Sequence, residues 1–291
     1  MSDYLTTKEL AALLRIKERK VYDLAASGAV PCSKAMGKLL FPRDAVHAWL
    51  AQNGAGPDLS SPKPLPNVFL GSHDPLLDWA LRESRCGIAT YLDGSIDGLS
   101  RFWRREGLAT GLHLYDPRTD DWNLPHIVET GGTRPVVLIQ WATRKRGLIV
   151  SNSLKASVKS ISDLKGLRVA SRQAESGAQR LLLHLTASAE LRIDDLDLTA
   201  PVRTEHDAAL LVLENKADVS FGLAALAAQY RLPFVPIVDE RFDLLIDRRA
   251  WFEPPMQKFL DLCHADRFTT RAKEFDGYNL SSFGHVMFNG P

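Results

Sequence analysis

The spacing of apolar positions changes twice along the chain and divides it into three stretches. Near the start, Leu10, Leu13 and Leu14 recur at helical spacing behind Thr6 and Glu9, which stand three residues apart as in a capping box. A break at Arg15-Ile16 precedes a second helical stripe, Val21, Leu24 and Ala25, within 17–26, and Gly28 ends it. Residues 30–36 and 38–42, joined through Gly37, read as a small two-stranded wing, and 43–50 as a closing helix. Two short helices with a tight turn between them predict a helix-turn-helix.

The second stretch, 52–66, is rich in Gly, Ser and Pro without periodicity and reads as a linker. From Asn67 onward short apolar runs alternate with amphipathic ones: strand 68–71, helix 75–85, strand 87–92, helix 96–106, and a strand near 110–115. That rhythm predicts helices over a largely parallel sheet. Within it a strand leads into a helix through a Gly/Ser turn three times: Gly71-Ser72-His73-Asp74, Asp93-Gly94-Ser95 and Glu175-Ser176-Gly177. In the first, Ser72 and Asp74 are placed to cap a helix opened by Pro75. Such turns aim free backbone N–H groups and the positive end of a helix dipole at one point, which suits a small anion. Two longer apolar runs, 135–150 and 234–246, have the length to cross from one lobe of an α/β domain to another.

The chain has 291 residues and a formal net charge of +1, so total charge alone does not indicate nucleic acid. The cations are concentrated early, however: Lys8, Arg15, Lys17, Arg19, Lys20, Lys34, Lys38 and Arg43 make the N-terminal piece basic. Three scattered cysteines, Cys32, Cys86 and Cys263, form neither a disulfide framework nor a zinc pattern. The start lacks a signal-peptide pattern and no segment has the length and apolarity to span a bilayer, so a cytoplasmic protein without membrane partners is expected.

Residues 4–51 resemble the winged helix-turn-helix of the MerR/excisionase superfamily. The resemblance is carried by Leu5-Thr6-Thr7-Lys8-Glu9, the basic helix with Val21-Tyr22, Gly28-Ala29-Val30-Pro31, Phe41, and Asp44 before Trp49-Leu50; Arg15 departs from it, because the family generally has Gly there. It implies that Lys17, Glu18, Arg19, Lys20 and Tyr22 face the major groove of operator DNA and that Lys34, Lys38 and Arg43 touch phosphates near the wing. Long cations on one face suit phosphate neutralisation, and Arg19 or Lys20 has the donors for guanine.

Residues 67–288 resemble the periplasmic-binding-protein-like domain related to molybdate-binding proteins. The matching runs include Gly71-Ser72-His73-Asp74-Pro75, Gly94-Ser95, Gly111-Leu112-His113, Asn123-Leu124-Pro125, Arg144-Lys145-Arg146-Gly147, Ser171-Arg172-Gln173, Ser176-Gly177-Ala178-Gln179 and Glu240-Arg241-Phe242-Asp243. The fold expected is thus an N-terminal winged helix-turn-helix (1–51), a linker (52–66) and an α/β two-lobed periplasmic-binding-protein-like domain of type II (67–291). Its lobes would be 67 to about 140 with about 245–291, and the middle between them.

Within the cleft, the expected ligand-binding set is Gly71, Ser72, His73, Gly94, Ser95, Arg172, Ser176, Gly177 and Ser220, with Arg172 as the cation that reaches it or else pairs with Glu175. Family kinship favours molybdate, tungstate or a related oxyanion as effector. Glu175 and Gln179, which stand where many relatives have Gly-Ser-Gly-Thr-Arg, favour a small organic metabolite or cofactor precursor. No cofactor, metal site or catalytic residue is expected: the chain lacks a Gly-x-Ser-x-Gly elbow, a Gly-x-x-x-x-Gly-Lys loop and a Gly-x-Gly-x-x-Gly turn. The reading is a one-component, ligand-responsive transcription regulator that binds double-stranded operator DNA as a homodimer. The other reading is a cytoplasmic solute-binding module whose N-terminal domain docks a protein.

Overall fold

The computed structural model describes residues 4–35, 37–53 and 64–291 and divides the chain into two compact units between Pro64 and Leu65. Met36 of the expected wing and residues 54–63 of the expected linker lie outside the described residues.

The first unit runs β1 (Tyr4–Leu5), α1 (Thr7–Leu14), α2 (Glu18–Ala26), β2 (Ser33–Ala35), β3 (Lys38–Pro42) and α3 (Arg43–Asn53). Thr6 and Glu9 close the capping box on α1, with Oγ of Thr6 accepting from the Glu9 N–H at 3.3 Å and a Glu9 oxygen accepting from the Thr6 N–H at 2.8 Å. Leu10, Val21, Val30, Phe41 and Val46 form the centre of a small core. The wing sheet is ordered β1-β3-β2, so it has three strands where two were expected; the added strand, β1, contributes two residues, too few for periodicity to reveal. Arg15 sits at φ 54° and caps α1 in the left-handed region. The turn where the resemblance led to an expectation of Gly is therefore made by an arginine, at a cost of roughly 1 kcal/mol.

The second unit contains β4 (Val68–Gly71), α4 (Pro75–Glu83), β5 (Ala89–Tyr91), α5 (Ser95–Trp103), β6 (Ala109–Leu112), β7 (Tyr115–Asp116), β8 (Asp121–Trp122), α6 (Leu124–Gly131) and β9 (Val136–Val150). It continues with β10 (Arg168–Ala170), α7 (Gly177–Ser188), β11 (Asp197–Leu198), α8 (Glu205–Leu213), β12 (Val219–Leu223), α9 (Ala224–Tyr230) and β13 (Phe234–Asp247). The chain ends through α10 (Arg248–Trp251), α11 (Pro254–Cys263), α12 (Asp266–Ala272), β14 (Tyr278–Asn279) and β15 (Val286–Asn289).

One twisted sheet carries both lobes, in the order β11-β10-β12-β9-β13-β6-β4-β5, with β14 and β15 added to β9. Strands β4, β5 and β6 are mutually parallel in one lobe, and β10, β11 and β12 in the other. The long antiparallel pair β9 and β13 joins them. That pair bends at two register shifts, Pro236/Val238 and Phe242/Asp243, and Gly147 faces the first: a Cβ there would stand 2.0 Å from the Val235 carbonyl oxygen. Lobe one packs around Phe69, Leu76, Trp141, Phe242, Phe259 and Phe268, all buried, and lobe two around Leu148, Val169, Leu182, Val219 and Phe221.

Candidate functional site

Three Gly/Ser turns open three helices at the junction of the lobes. Gly71, at φ +100°, ends β4, and the Ser72 N–H donates to the Gly111 carbonyl at 2.9 Å. Ser72 Oγ lies 2.7 Å from Ser95 Oγ, and Ser95 Oγ accepts from the His113 N–H at 3.1 Å. All three residues are buried. From lobe two, Gly177 packs on His113, where an added Cβ would meet the His113 carbonyl oxygen at 2.8 Å, and Gly94 approaches the Glu175 carbonyl oxygen. The lobes therefore touch through the turns that the sequence singled out. Gly94 and Ser176 are the N-caps of α5 and α7, and neither helix has a side-chain cap. By contrast α4 is capped by Asp74, which accepts from the Leu77 N–H at 2.7 Å. Two uncapped, buried helix starts beside a pair of serine hydroxyls form a cradle of neutral donors.

A charged wall adjoins the cradle. Asp74 accepts from Arg144 Nη1 at 2.8 Å, Tyr278 Oη at 2.5 Å and Trp141 Nε1 at 3.1 Å. Arg144 and Arg146, two residues apart on one face of β9, both bind Glu240 of β13. His113 Nδ1 lies 2.9 Å from the same carboxylate. Arg146 Nη2 also donates to Glu205 at the start of α8, at 2.7 Å, and Arg172 Nη1 stands 3.9 Å from that Glu205 oxygen. The chain Asp74, Arg144, Glu240, Arg146, Glu205, Arg172 thus alternates in charge from lobe one to lobe two. Burial works against an ionised Glu240, but Arg144, Arg146 and His113 together hold its carboxyl well below the usual range. Burial pushes His113 down, keeping the imidazole neutral with Nδ1–H free to donate to Glu240.

Of the nine expected ligand residues, Gly71, Ser72, Gly94, Ser95, Ser176 and Gly177 lie at this junction, and Arg172 borders it. Arg172 pairs with Glu205 rather than Glu175, which is exposed, and its Nη2 donates to the Arg203 carbonyl at 2.7 Å. His73 is exposed and meets His206 of α8 edge-on at 5.8 Å, lining a groove of about 560 Å³ with Asp78, Trp79, Arg82 and, from the other lobe, Gln229. Ser220 lies inside β12 between β9 and β10, its hydroxyl buried and unbonded. Trp141 is core, stacked on Phe259. Glu205, Glu240 and the arginine pair of β9 were missed as site residues. The available signal was charge inside an otherwise apolar strand, which demands partners wherever it is buried.

A second buried acid ties the β7–β8 hairpin to the crossing strand. Asp243 accepts from Asn123 Nδ2 at 2.8 Å and Arg241 Nε at 3.0 Å, and burial raises its pKa to about 6. Because this folded-state value lies above the ordinary one, the native state binds the extra proton between about pH 4 and 6, and this group's contribution to stability falls as pH rises through that window. Replacing Asp243 with Asn is expected to remove that part of the pH dependence, on the order of 2 kcal/mol between pH 4.5 and 7, as read from denaturant unfolding at the two pH values. A slope unchanged by the substitution would contradict the assignment.

In the first unit Lys17, Glu18, Arg19, Lys20 and Tyr22 project from the first turns of α2 and are exposed, as are Lys34 and Lys38 on the wing. Arg43 is only half exposed and its Nε is buried, so of the eight expected DNA contacts it is the least available.

A basic three-helix head with a wing, followed by two α/β lobes closing on a polar cradle, defines a ligand-cleft protein with a helix-turn-helix domain. The chain belongs to the PBP superfamily: that domain's model matches residues 79–264, over half of the chain, and a helix-turn-helix domain model matches residues 4–54. It is similar to YvgK of Bacillus subtilis (strain 168), an uncharacterized protein, at 23% identity over 97% of each chain. Among solved structures it is similar to the regulatory domain of MetR, a LysR family regulator from N. meningitidis, with a TM-score of 0.50 and 11% identity over 73% of this chain and 97% of that one. It is also similar to the alkanesulfonate-binding protein SsuA from Xanthomonas axonopodis pv. citri, with a TM-score of 0.46 and 15% identity over 74% and 79%. No described helix is long and apolar enough to cross a membrane.

Proposed function

We propose that the protein is a cytoplasmic one-component transcription regulator of the MerR/excisionase type in its head, which binds operator DNA as a homodimer and senses a small anion between its lobes. The observation that carries the sensing role is that the uncapped starts of α5 and α7 meet at Glu175 and His113, with His113 donating to Ser95 of the hydrogen-bonded Ser72 and Ser95 pair. A ligand there stabilises the closed lobes, and its leverage on DNA affinity equals its preference for that form, typically ~1–3 kcal/mol. The neutral donors of the cradle favour a tetrahedral oxyanion of the molybdate or tungstate kind. Glu175 and Gln179, beside a wall whose arginines are already paired with carboxylates, favour a second reading, a small organic metabolite or cofactor precursor.

The sensing role is tested by calorimetric titration of the full-length protein with molybdate, tungstate, phosphate and small organic acids. The expected result is micromolar binding of at least one, lost in the Ser72→Ala, Ser95→Ala double variant; silence from all would sink the anion reading. The DNA role is tested with duplex DNA from upstream of the protein's own reading frame. Lys34→Ala and Lys38→Ala are each expected to weaken binding to all duplexes alike and to lower the slope of log affinity against log salt by about 1. An absence of salt-dependent DNA binding would instead favour a protein-docking head.

A further inference from the structure

Around Glu205 three buried polar atoms have no hydrogen-bond partner among the described residues: Arg146 Nη1, Arg172 Nε and Glu205 Oε2. They belong to one cluster, because Glu205 Oε1 accepts from Arg146 Nη2 at 2.7 Å and lies 3.9 Å from Arg172 Nη1. Arg146 is fully buried. The cluster is linked to the cradle by direct hydrogen bonds, from Arg146 to Glu240, from His113 Nδ1–H to Glu240, and from the His113 backbone N–H to Ser95. Two guanidinium nitrogens, with three N–H bonds between them, and one carboxylate oxygen are left over in this cluster. Each is costly to leave unmade in a buried setting.

A hydroxyl group, with two lone pairs and one proton, is the small group that can accept from both nitrogens and donate to the carboxylate oxygen at once. An ammonium group would supply donors only and leave both guanidinium groups unpaired. A fully deprotonated oxygen would face the Glu205 carboxylate with like charge. Charge balance argues the same way: Arg144, Arg146 and Arg172 are matched by Asp74, Glu205 and Glu240, so the wall holds no surplus cation for a second negative charge.

Resting on the reading that the cleft binds a small anion, we infer that this anion carries a hydroxyl, and that Glu205 is the residue that selects it. The shared chemistry is an anionic group with an O–H beside it, supplied either by a hydrogen-bearing oxyanion or by a hydroxy acid. Arg146 and Arg172 donate to the hydroxyl oxygen and Glu205 accepts its proton's hydrogen bond. Burial opposes ionisation of Glu205, but Arg146, Arg172 and Arg144 keep its carboxyl below the usual range, so it is an acceptor at neutral pH.

The test is calorimetry on the full-length protein at neutral pH with matched pairs that differ by one hydroxyl: phosphate and sulfate, lactate and propionate, malate and succinate. In whichever pair binds, the hydroxyl-bearing member is expected to bind at least about 100-fold more tightly, because a site built to pair a hydroxyl rejects the analogue lacking it. Glu205→Gln, which can present an amide donor instead, is expected to shrink that ratio tenfold or more. A phosphate preference assigns the oxyanion source, and a lactate or malate preference the hydroxy acid. Equal binding within a pair, or tighter binding of sulfate, molybdate or tungstate, overturns the inference, leaves the anion cradle standing, and assigns the cluster to a bound water. Silence from every probe overturns the cradle reading and this inference with it. The wild-type comparison decides the question even where Glu205→Gln fails to fold.

Discussion

Replacing Gly98 with Ala is expected to destabilise the second unit by about 4 kcal/mol, a fall of roughly 8–16 °C in Tm for a unit of this size. The methyl group would stand 2.1 Å from Gly71 Cα, 2.4 Å from Gly71 N and 2.7 Å from Thr110 Oγ1. Two of those atoms are backbone and have no rotamer to move into, so α5 must lift from β4. Gly71 has no room to yield, since it is itself at φ +100° with the Gly111 carbonyl where its own Cβ would lie. Lifting α5 also withdraws Ser95 from Ser72 and from the His113 N–H, so anion binding should fall with stability. Gly284→Ala serves as the control: that glycine has a positive φ but open space around it, so it reports backbone strain without the clash. Thermal unfolding of the two variants measures the difference; equal, small shifts would mean that α5 and β4 are not held in close contact.

That contact also marks how far the sequence could be read. The turns at Gly71, Gly94 and Ser176 were legible because glycine and serine between a strand and a helix have few other uses, and the structure brings all three to one junction. The crossing runs were legible from their length and apolar content. The charged wall was not. Arg144, Arg146 and Glu240 acquire meaning only through register: β9 and β13 pair so that Arg144 faces Glu240, and no local pattern states that register. His73 was assigned to the ligand by its place in a Gly-Ser turn, and its ring meets His206 of the opposite lobe. A side chain next to a turn has its direction set by the turn's dihedral angles, which one sequence does not specify. Arg15 shows the converse case, in which a residue type that argued against a left-handed turn adopts it because Ile16, Leu14 and Leu10 need it to reach the core.

Replacing Glu240 with Gln is expected to cost about 3–5 kcal/mol at neutral pH, the range for removing one partner of a buried ion pair. Glu240 is fully buried between Arg144, Arg146 and His113, and the two arginines are themselves buried. With the carboxylate gone, three arginines share only Asp74 and Glu205, and one cation is left unbalanced away from water. The size of the loss should depend on acidity in a defined direction. Because the folded-state value of Glu240 is depressed, its contribution is complete above the unfolded carboxyl value of about 4.3 and is lost as pH falls below it. The gap between wild type and Glu240→Gln should therefore be widest near neutrality and narrow on acidification, as read from denaturant unfolding at pH 7 and at pH 3.5. Adding Arg146→Met to Glu240→Gln restores the balance, since Arg144 then faces Asp74 and Arg172 faces Glu205. The double variant should accordingly recover part of the loss, and a double variant weaker than the single by the full cost of Arg146→Met alone would show that the wall is held by packing and not by its charges.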